Sequence, residues 1–253
     1  MSDEQTAEER YSDFYARQLA SPTLRRIYQE VYGDDHPAEL QTFGFVTRTD
    51  LALLGERLAL RPGRLLADLG CGRGGPGIAL ARQALADLVG IDVVQAALDG
   101  AAVLSAALGL PQARFLRGSF TATGLPDRSC DAVMSVDALW MVWNKPAAFL
   151  ETSRILRPGG RFVFTTWEPA YLDHTRMLAN AGFAILERRE TDNWLARQLA
   201  VYQRITAARA ALAAELGPGS AVLLTEAAQT PGVLPTTPRV MITAELRASP
   251  PRR

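Results

Sequence analysis

The residues with the clearest potential for chemistry lie between positions 64 and 77. This stretch holds a short apolar run, one carboxylate at Asp68, and then glycines at the alternate positions Gly70, Gly72 and Gly74. Glycine has no Cβ and adopts positive φ freely, so a ligand can approach such a backbone closely. An apolar strand, a glycine turn and a helix, here predicted over 78–86, form the layout of a nucleotide-binding βαβ unit.

The carboxylate of Asp68 restricts which nucleotide this turn can hold. Gly70, Gly72 and Gly75 also satisfy G-x-G-x-x-G, the spacing of dinucleotide sites, but a single match of that kind is weak evidence. A dinucleotide places its pyrophosphate at the helix N-terminus, where a carboxylate two residues before the first glycine repels it. S-adenosylmethionine (SAM) carries an ammonium and a sulfonium and no phosphate, so this acid attracts it. We favour SAM, with a dinucleotide and a ligand-free tight turn as the alternatives.

A second acid, Asp92, ends the next apolar run, over 88–92. In nucleotide-binding βαβ folds an acid at this place accepts hydrogen bonds from both ribose hydroxyls. The alternative is a surface acid at the end of a strand.

The D-L-G-C-G-x-G-G form of residues 68–75 resembles motif I of class I SAM-dependent methyltransferases. Residues 125–133 and 156–160 resemble the fourth- and fifth-strand motifs of the same family. The resemblance spans 64–167 well, extends more loosely to the last strand, and is closest to small-molecule methyltransferases of bacterial secondary metabolism.

This resemblance implies SAM as cofactor, S-adenosylhomocysteine as product, and a set of contact residues. Methyltransferases of this class often have Gly-Asp after the third strand, with the Asp accepting from the adenine amino group, whereas this chain has Ser119 at that place. Backbone groups and Phe120 are then left to hold the adenine. The expected cofactor contacts are Asp68, Gly70, Cys71, Gly72, Asp92, Val93, Gly118, Ser119, Phe120 and Asp137.

Beyond the strand ends we expect an apolar pocket for the methyl acceptor. The segment 137–143 follows the fourth strand, and its apolar side chains, including two tryptophans, favour a hydrophobic acceptor. The alternative for both tryptophans is ordinary helix packing. His174 is the candidate general base and His36 the second, with a surface histidine as the alternative for each. No Cys or His spacing is typical of a metal site, and we predict no metal. The expected pocket residues are Tyr15, Phe43, Trp140, Trp143 and His174.

The elements that must position these residues follow from periodicity and capping signals. Residues 1–60 are predicted to be helical and to form a cap, with helix starts at Ser21-Pro22 and at the capping box that begins with Thr47. From there strands and helices alternate, which predicts a Rossmann-like, doubly wound α/β fold with a seven-stranded sheet.

Within the core, predicted over 61–247, a helical insertion at 191–235 precedes the last strand. Its first part, 191–216, has one continuous apolar face and is predicted to be a single long helix. We expect this insertion to help cover the active site. Residues 248–253 are predicted to be a disordered tail.

The composition excludes several classes of partner. Of 253 residues 48% are apolar, enough for a packed core, and 27 basic residues balance 27 acidic ones. A formal charge of zero without a dense Lys/Arg run argues against nucleic acid. No apolar stretch approaches the length of a membrane span, and the acidic start lacks a signal-peptide core. We expect a cytoplasmic protein with a small-molecule substrate, with a homodimer left open.

The sequence therefore predicts methyl transfer from SAM to a small, largely apolar molecule, a secondary metabolite, with oxygen favoured over nitrogen and carbon as acceptor atom. Two alternatives keep the same cofactor: a non-methylating cyclisation or rearrangement, and a non-catalytic SAM-binding partner. A nicotinamide enzyme is the third alternative.

Overall fold

The computed structural model describes residues 3–248 and contains one mixed sheet of seven strands within that range, in the order β3-β2-β1-β4-β5-β7-β6. The strand β7 runs antiparallel to both of its neighbours, and the other strands are parallel to one another. The predicted fold class is confirmed. The strands are β1 (Leu65–Leu69), β2 (Asp87–Asp92), β3 (Arg114–Arg117), β4 (Cys130–Val136), β5 (Leu156–Trp167), β6 (Phe183–Glu190) and β7 (Arg239–Leu246).

The helices form two layers on the sheet and a third group above one edge of it. Helices α3, α4 and α5 pack on one face, and α6 and α7 on the other. Both predicted helix starts are present: Ser21 Oγ accepts from the Leu24 amide (3.0 Å), and Thr47 Oγ1 from the Asp50 amide (3.0 Å). The helices are α1 (Asp3–Arg17), α2 (Pro22–Tyr32), α3 (Arg48–Leu58), α4 (Gly75–Ala84), α5 (Gln95–Ala107), α6 (Lys145–Ile155), α7 (His174–Asn180), α8 (Trp194–Ala207), α9 (Arg209–Leu216) and α10 (Ser220–Gln229).

The central strands are apolar on both faces because helices cover both. On β4, Val133 packs in the cluster that includes Phe149 of α6, whereas Met134 packs in the cluster that includes Leu54 of α3. This continuous burial explains why the strands appear in the sequence as short apolar runs rather than as alternating patterns.

The third group joins the N-terminal helices to the segment between β6 and β7. Helices α1 and α2 pack against α8, α9 and α10, and Phe14 and Tyr28 share an apolar cluster with Tyr202 and Leu216. A Cβ on Gly219 would lie 2.7 Å from the Phe14 amide nitrogen, so only glycine permits this approach. Helix α3 instead packs on the sheet, so the helices predicted over 1–60 lie in two different places.

Two element predictions differ from the structure. The single helix predicted over 191–216 is broken at Ala208, where φ is −94° and ψ is 15°, because α8 packs on α2 while α9 turns towards α1. The sequence also predicts a helix over 171–180, but this helix begins at His174, where the Asp173 carboxylate accepts from the Arg176 amide (2.9 Å) and caps it. Of the predicted tail, only Ala248 lies within the described residues.

A buried arginine connects four parts of the chain. Arg239 on β7 is 1% exposed, and its guanidinium donates to both carboxylate oxygens of Asp137 (2.9 Å each). It also donates to Asp50 Oδ2 at the start of α3 (2.8 Å) and to Thr191 Oγ1 after β6 (3.1 Å). Burial lowers the pKa of Arg239, but the two carboxylates raise it more, so the guanidinium stays charged.

We expect Arg239→Met to destabilise the protein by about 3–5 kcal/mol, because Asp50 and Asp137 lose their shared cation while buried. Urea unfolding measures the change. Arg189→Met is the matched control, since Arg189 is partly exposed and pairs with the exposed Asp192, and it is expected to cost less than ~1 kcal/mol. Equal, small losses in the two variants contradict this account.

Candidate functional site

A cavity of about 670 Å³ lies at the carboxyl ends of β1, β2, β4 and β5, where open α/β sheets bind ligands. All ten residues predicted to contact the cofactor line it. Three of the five predicted acceptor-pocket residues, Tyr15, Phe43 and Trp140, line it as well. The structure therefore gathers the two predicted groups around one space, with α1 and the 191–235 insertion forming part of its wall.

The backbone of the glycine turn lies close to the carboxyl end of β2. Gly70 and Cys71 both donate their amides to the Ile91 carbonyl (2.8 and 3.1 Å), and Gly72 donates to Asp92 Oδ2 (2.8 Å). Gly70 and Gly72 have φ of 69° and 53°, which side chains disfavour. A Cβ on Gly72 would lie 2.7 Å from the Tyr15 hydroxyl, so the cap, as well as any ligand, requires glycine there.

Asp68 lies at the end of β1 and is 2% exposed. Burial, and after it the nearby Asp92 carboxylate, raise its pKa to about 7, although a hydrogen bond from the Gly77 amide acts to lower it. A Cβ on Gly77 would lie 2.5 Å from Asp68 Oδ2, so α4 approaches the carboxylate through a position without a side chain. A positively charged ligand next to Asp68 stabilises its ionised form.

Asp92 is held in place by two backbone amides. Its Oδ2 accepts from Gly72 and its Oδ1 from Val94 (2.9 Å), and these bonds partly offset the increase in pKa that burial causes. Burial also raises the pKa of the neighbouring Cys71 thiol, so this cysteine is not a thiolate. The carboxylate thus lies at the cavity wall in a fixed orientation, as ribose recognition requires.

The expected adenine end contains no side-chain carboxylate in the place where the family often has one. Ser119 Oγ lies 3.3 Å from Thr121 Oγ1, and the Ser119 amide donates to the Ala122 carbonyl. The ring of Phe120 lies against the turn, 3.0 Å from where a Cβ on Gly70 would be. This end of the cavity therefore offers an aromatic face and backbone groups.

The opposite end of the cavity is aromatic. Trp167 packs edge-on against Phe45 (5.6 Å between ring centroids) and Trp140 (6.3 Å), and Phe45 contacts Tyr202 (5.7 Å). The predicted pocket did not include Trp167, Tyr202 or Glu226, which all line the cavity. Trp167 ends a predicted strand and Tyr202 lies on the apolar face of a predicted helix, but Glu226 gave no signal in the sequence.

The structure does not bring His174 to the cavity, which corrects its prediction as general base. The side chain is fully buried, Nδ1 lies 2.9 Å from Glu168 Oε1, and the ring packs edge-on against Phe149 and Phe164. Its Nε2 has no hydrogen-bond partner among the described residues. A histidine enclosed in this way, outside the cavity lining, has no access to an acceptor in the cavity.

Two further aromatic predictions are corrected in the same way. Trp143 is 89% exposed and does not line the cavity, because the chain turns outward between Trp140 and the start of α6. His36, the second candidate base, is buried against Tyr28 and Tyr32 and also lies outside the cavity lining.

Two features bear on the partners. Among the described side chains, no group of three or more His, Cys, Asp or Glu lies together as a metal site. None of the described helices has the length and apolar character needed to cross a bilayer.

We expect Asp68→Asn to change how stability depends on pH. The pKa of about 7 in the folded protein lies above the ordinary value of 3.8, so the wild type loses stability as pH rises from 3.8 to about 7 and loses no more from this group above that. At about 1.4 kcal/mol per pH unit, the part of the loss that falls between pH 5 and pH 7 is on the order of 2–3 kcal/mol. Thermal or urea unfolding from pH 5 to pH 8.5 is expected to fall less steeply in the variant. Asp87→Asn, an exposed acid at the far end of β2, serves as control, and a wild-type pH profile in Asp68→Asn contradicts the expectation.

Comparison with known proteins agrees with this geometry. Residues 67–164 match the methyltransferase domain family. A sterol 24-C-methyltransferase of Gibberella zeae is 29% identical over 115 residues, which cover 45% of this chain and 30% of that protein. Phosphoethanolamine N-methyltransferase 3 of Arabidopsis thaliana is 30% identical over 141 residues, 55% of this chain and 27% of that protein. The chain thus matches only about a third of the length of these curated relatives.

Among solved structures, the crystal structure of the [4+2]-cyclase SpnF superposes with a TM-score of 0.75 at 20% identity and covers 98% of both chains. At this identity the similarity shows the shared fold, including the N-terminal helices and the insertion before the last strand.

Proposed function

We propose that the chain is a class I SAM-dependent methyltransferase and transfers a methyl group from SAM to a small, largely apolar molecule, since residues 67–164 match the methyltransferase domain family. One observation carries the proposal: a single cavity connects the carboxylates of Asp68 and Asp92 with an aromatic chamber formed around Trp140, Trp167 and Phe45. The first end suits a charged nucleoside and the second an apolar acceptor.

The residues at the first end fit SAM. Asp92, fixed by the amides of Gly72 and Val94, would accept from the ribose hydroxyls, and Asp68 would attract the positive groups. Phe120 would contact the adenine. When bound, SAM supplies an electrophilic methyl group on a sulfonium, whose leaving group is a neutral thioether.

The chain's own contribution is then mainly positioning. The aromatic wall holds an apolar acceptor in line with the methyl group and excludes water, and such orientation accounts for much of the rate in displacements of this kind. With His174 outside the cavity, the proposal includes no histidine base. Asp137, which borders the cavity, is paired with Arg239 and serves to hold the segment before Trp140 in place.

The acceptor atom, the class of substrate and the location of the enzyme are also part of the proposal. We favour a hydroxyl oxygen as acceptor atom, in a cytoplasmic enzyme that modifies a secondary metabolite. The names of the two relatives specify carbon and nitrogen acceptors.

A second candidate function, a cyclisation that uses SAM without consuming it, is favoured by one observation. The overlap with the [4+2]-cyclase SpnF extends over 98% of both chains, including the cap and the insertion. Because both functions need the same cofactor contacts, the contacts alone do not distinguish them.

We expect Asp92→Ala to weaken SAM binding by about 1–3 kcal/mol, because the ribose hydroxyls lose a charged acceptor. Titration calorimetry measures the dissociation constant. Asp87→Ala removes an acid from the exposed, opposite end of the same strand and is expected to bind SAM normally. A folded Asp92→Ala protein with unchanged affinity removes Asp92 from the site.

Methyl transfer predicts one S-adenosylhomocysteine released for each acceptor that gains the mass of a methyl group. We expect mass spectrometry of the protein with SAM and a panel of apolar phenols, alcohols and amines to detect both products together. A product isomeric with its substrate, formed without S-adenosylhomocysteine, supports cyclisation and contradicts methyl transfer.

A further inference from the structure

We propose that the guanidinium of Arg73, in the glycine turn before α4, binds the carboxylate of the methionine portion of SAM. The inference deepens the proposed function and relies on it for the identity of the cofactor. It rests on the incomplete set of partners around Arg73, on the space that α5 leaves for its side chain, and on the charges along the cavity.

The polar groups of Arg73 are poorly satisfied within the described part of the chain. Its Nε is buried and has no hydrogen-bond partner there, and its Nη2 donates to Gln41 Oε1 over 3.4 Å, which is long for such a bond. Burial lowers the pKa of Arg73, and the nearby Tyr15 phenol, rather than a carboxylate, acts to raise it. Because a guanidinium keeps its charge in proteins and has several N–H donors, this cation retains donors for an anionic partner.

Helix α5 leaves room for the guanidinium. A Cβ on Gly100 would lie 2.3 Å from Arg73 Nη1 and 2.5 Å from Arg73 Cζ, so the end of the arginine side chain lies directly on this glycine. Gly100 is inside α5, where glycine is less favourable than alanine. The position therefore costs helix stability and gives the guanidinium its place beside the cavity.

A second donor lies on the same part of the cavity wall. The Tyr15 hydroxyl lies 2.7 Å from where a Cβ on Gly72 would be, and Tyr15 and Arg73 both line the cavity. Burial, followed by the Asp92 carboxylate, raises the pKa of Tyr15, so its phenol keeps its proton. An anion bound beside Gly72 thus has a phenol from α1 and a guanidinium from the glycine turn within the same wall.

The charges along the cavity indicate which anion this is. SAM carries an ammonium, a sulfonium and a carboxylate, and the acids Asp68 and Asp92 attract the first two groups but repel the third. Among the side chains that the structure describes in the lining, Arg73 is the only basic one. The N-terminus of α4, which begins two residues after Arg73, adds positive partial charge on the same side.

An anionic group on the methyl acceptor is the other possible partner. Arg73 directly follows Gly72, whose amide binds Asp92, and Asp92 belongs to the end of the cavity that suits the nucleoside. The proposed function places the acceptor in the aromatic chamber around Trp140 and Trp167 instead. The carboxylate of the cofactor is therefore the anion that the position of Arg73 favours.

Two ligands that differ in one carboxylate test the inference: S-adenosylhomocysteine and its decarboxylated analogue, S-adenosylthiopropylamine. Titration calorimetry measures the dissociation constant of each for the full chain and for its variants. In Arg73→Met we expect S-adenosylhomocysteine to lose about tenfold or more in affinity, because its carboxylate loses a charged donor. The decarboxylated analogue is expected to change by less than about twofold or to bind more tightly, since it has no carboxylate and loses a like charge.

Two further variants change Arg73 less severely. Arg73→Lys keeps the charge and is expected to lose less affinity for S-adenosylhomocysteine than Arg73→Met does. Gly100→Ala keeps Arg73 but displaces its guanidinium, and it is expected to weaken S-adenosylhomocysteine selectively in a well-formed helix. Arg82→Met removes the same charge from an exposed position on α4 and is expected to bind both ligands as the wild type does.

Unchanged affinity for S-adenosylhomocysteine in Arg73→Met, or an equal loss for both ligands in Arg73→Met and Gly100→Ala, overturns the inference. The measurement requires no turnover, so the outcomes separate the two proposals. A wild type that binds neither ligand rejects the SAM site and the inference with it. A selective loss in a protein that releases no S-adenosylhomocysteine during turnover supports the carboxylate site and rejects methyl transfer alone.

Discussion

The site depends on hydrogen bonds that hold the turn after β1 against the carboxyl end of β2. Two amides of the turn share the Ile91 carbonyl, and a third binds Asp92, which is possible only with the positive φ angles of Gly70 and Gly72. This arrangement buries Asp68 and Asp92 near each other, and this raises the pKa of Asp68. The protein without ligand thus carries an acid whose ionisation is unfavourable, and a cationic nucleoside relieves that cost.

The acids along the cavity divide into two kinds. Asp137 is neutralised by Arg239, which also binds Asp50, so this pair holds β7, α3 and the segment after β4 together. Asp68 instead accepts a hydrogen bond from the Gly77 amide and lines the cavity beside the glycine turn. Asp137 therefore stabilises the wall of the site, and Asp68 provides charge for a ligand.

Local signals in the sequence were enough to predict the sheet and the residues at the carboxylate end of the cavity. The ends of β1 and β2, the glycine turn and the helix N-caps depend on residues close in sequence. For this reason the sequence placed Asp68 and Asp92 at the ends of two strands, where the structure has them. The direction of His174 was not predictable, because a short capped helix turns it between Phe149 and Phe164 instead of towards the cavity. Residues far apart in sequence determine the Arg239 pairs and the hydrogen bonds that reach Glu226, and no local pattern contains that information.

The central claim is that one cavity holds SAM at its carboxylate end and the methyl acceptor at its aromatic end. A crystal structure of the protein with S-adenosylhomocysteine tests it most directly. The account predicts ribose hydroxyls within hydrogen-bond distance of Asp92, adenine against Phe120, and the sulfur directed towards the chamber around Trp140. A nucleoside bound elsewhere, or with its ribose away from Asp92, contradicts the account.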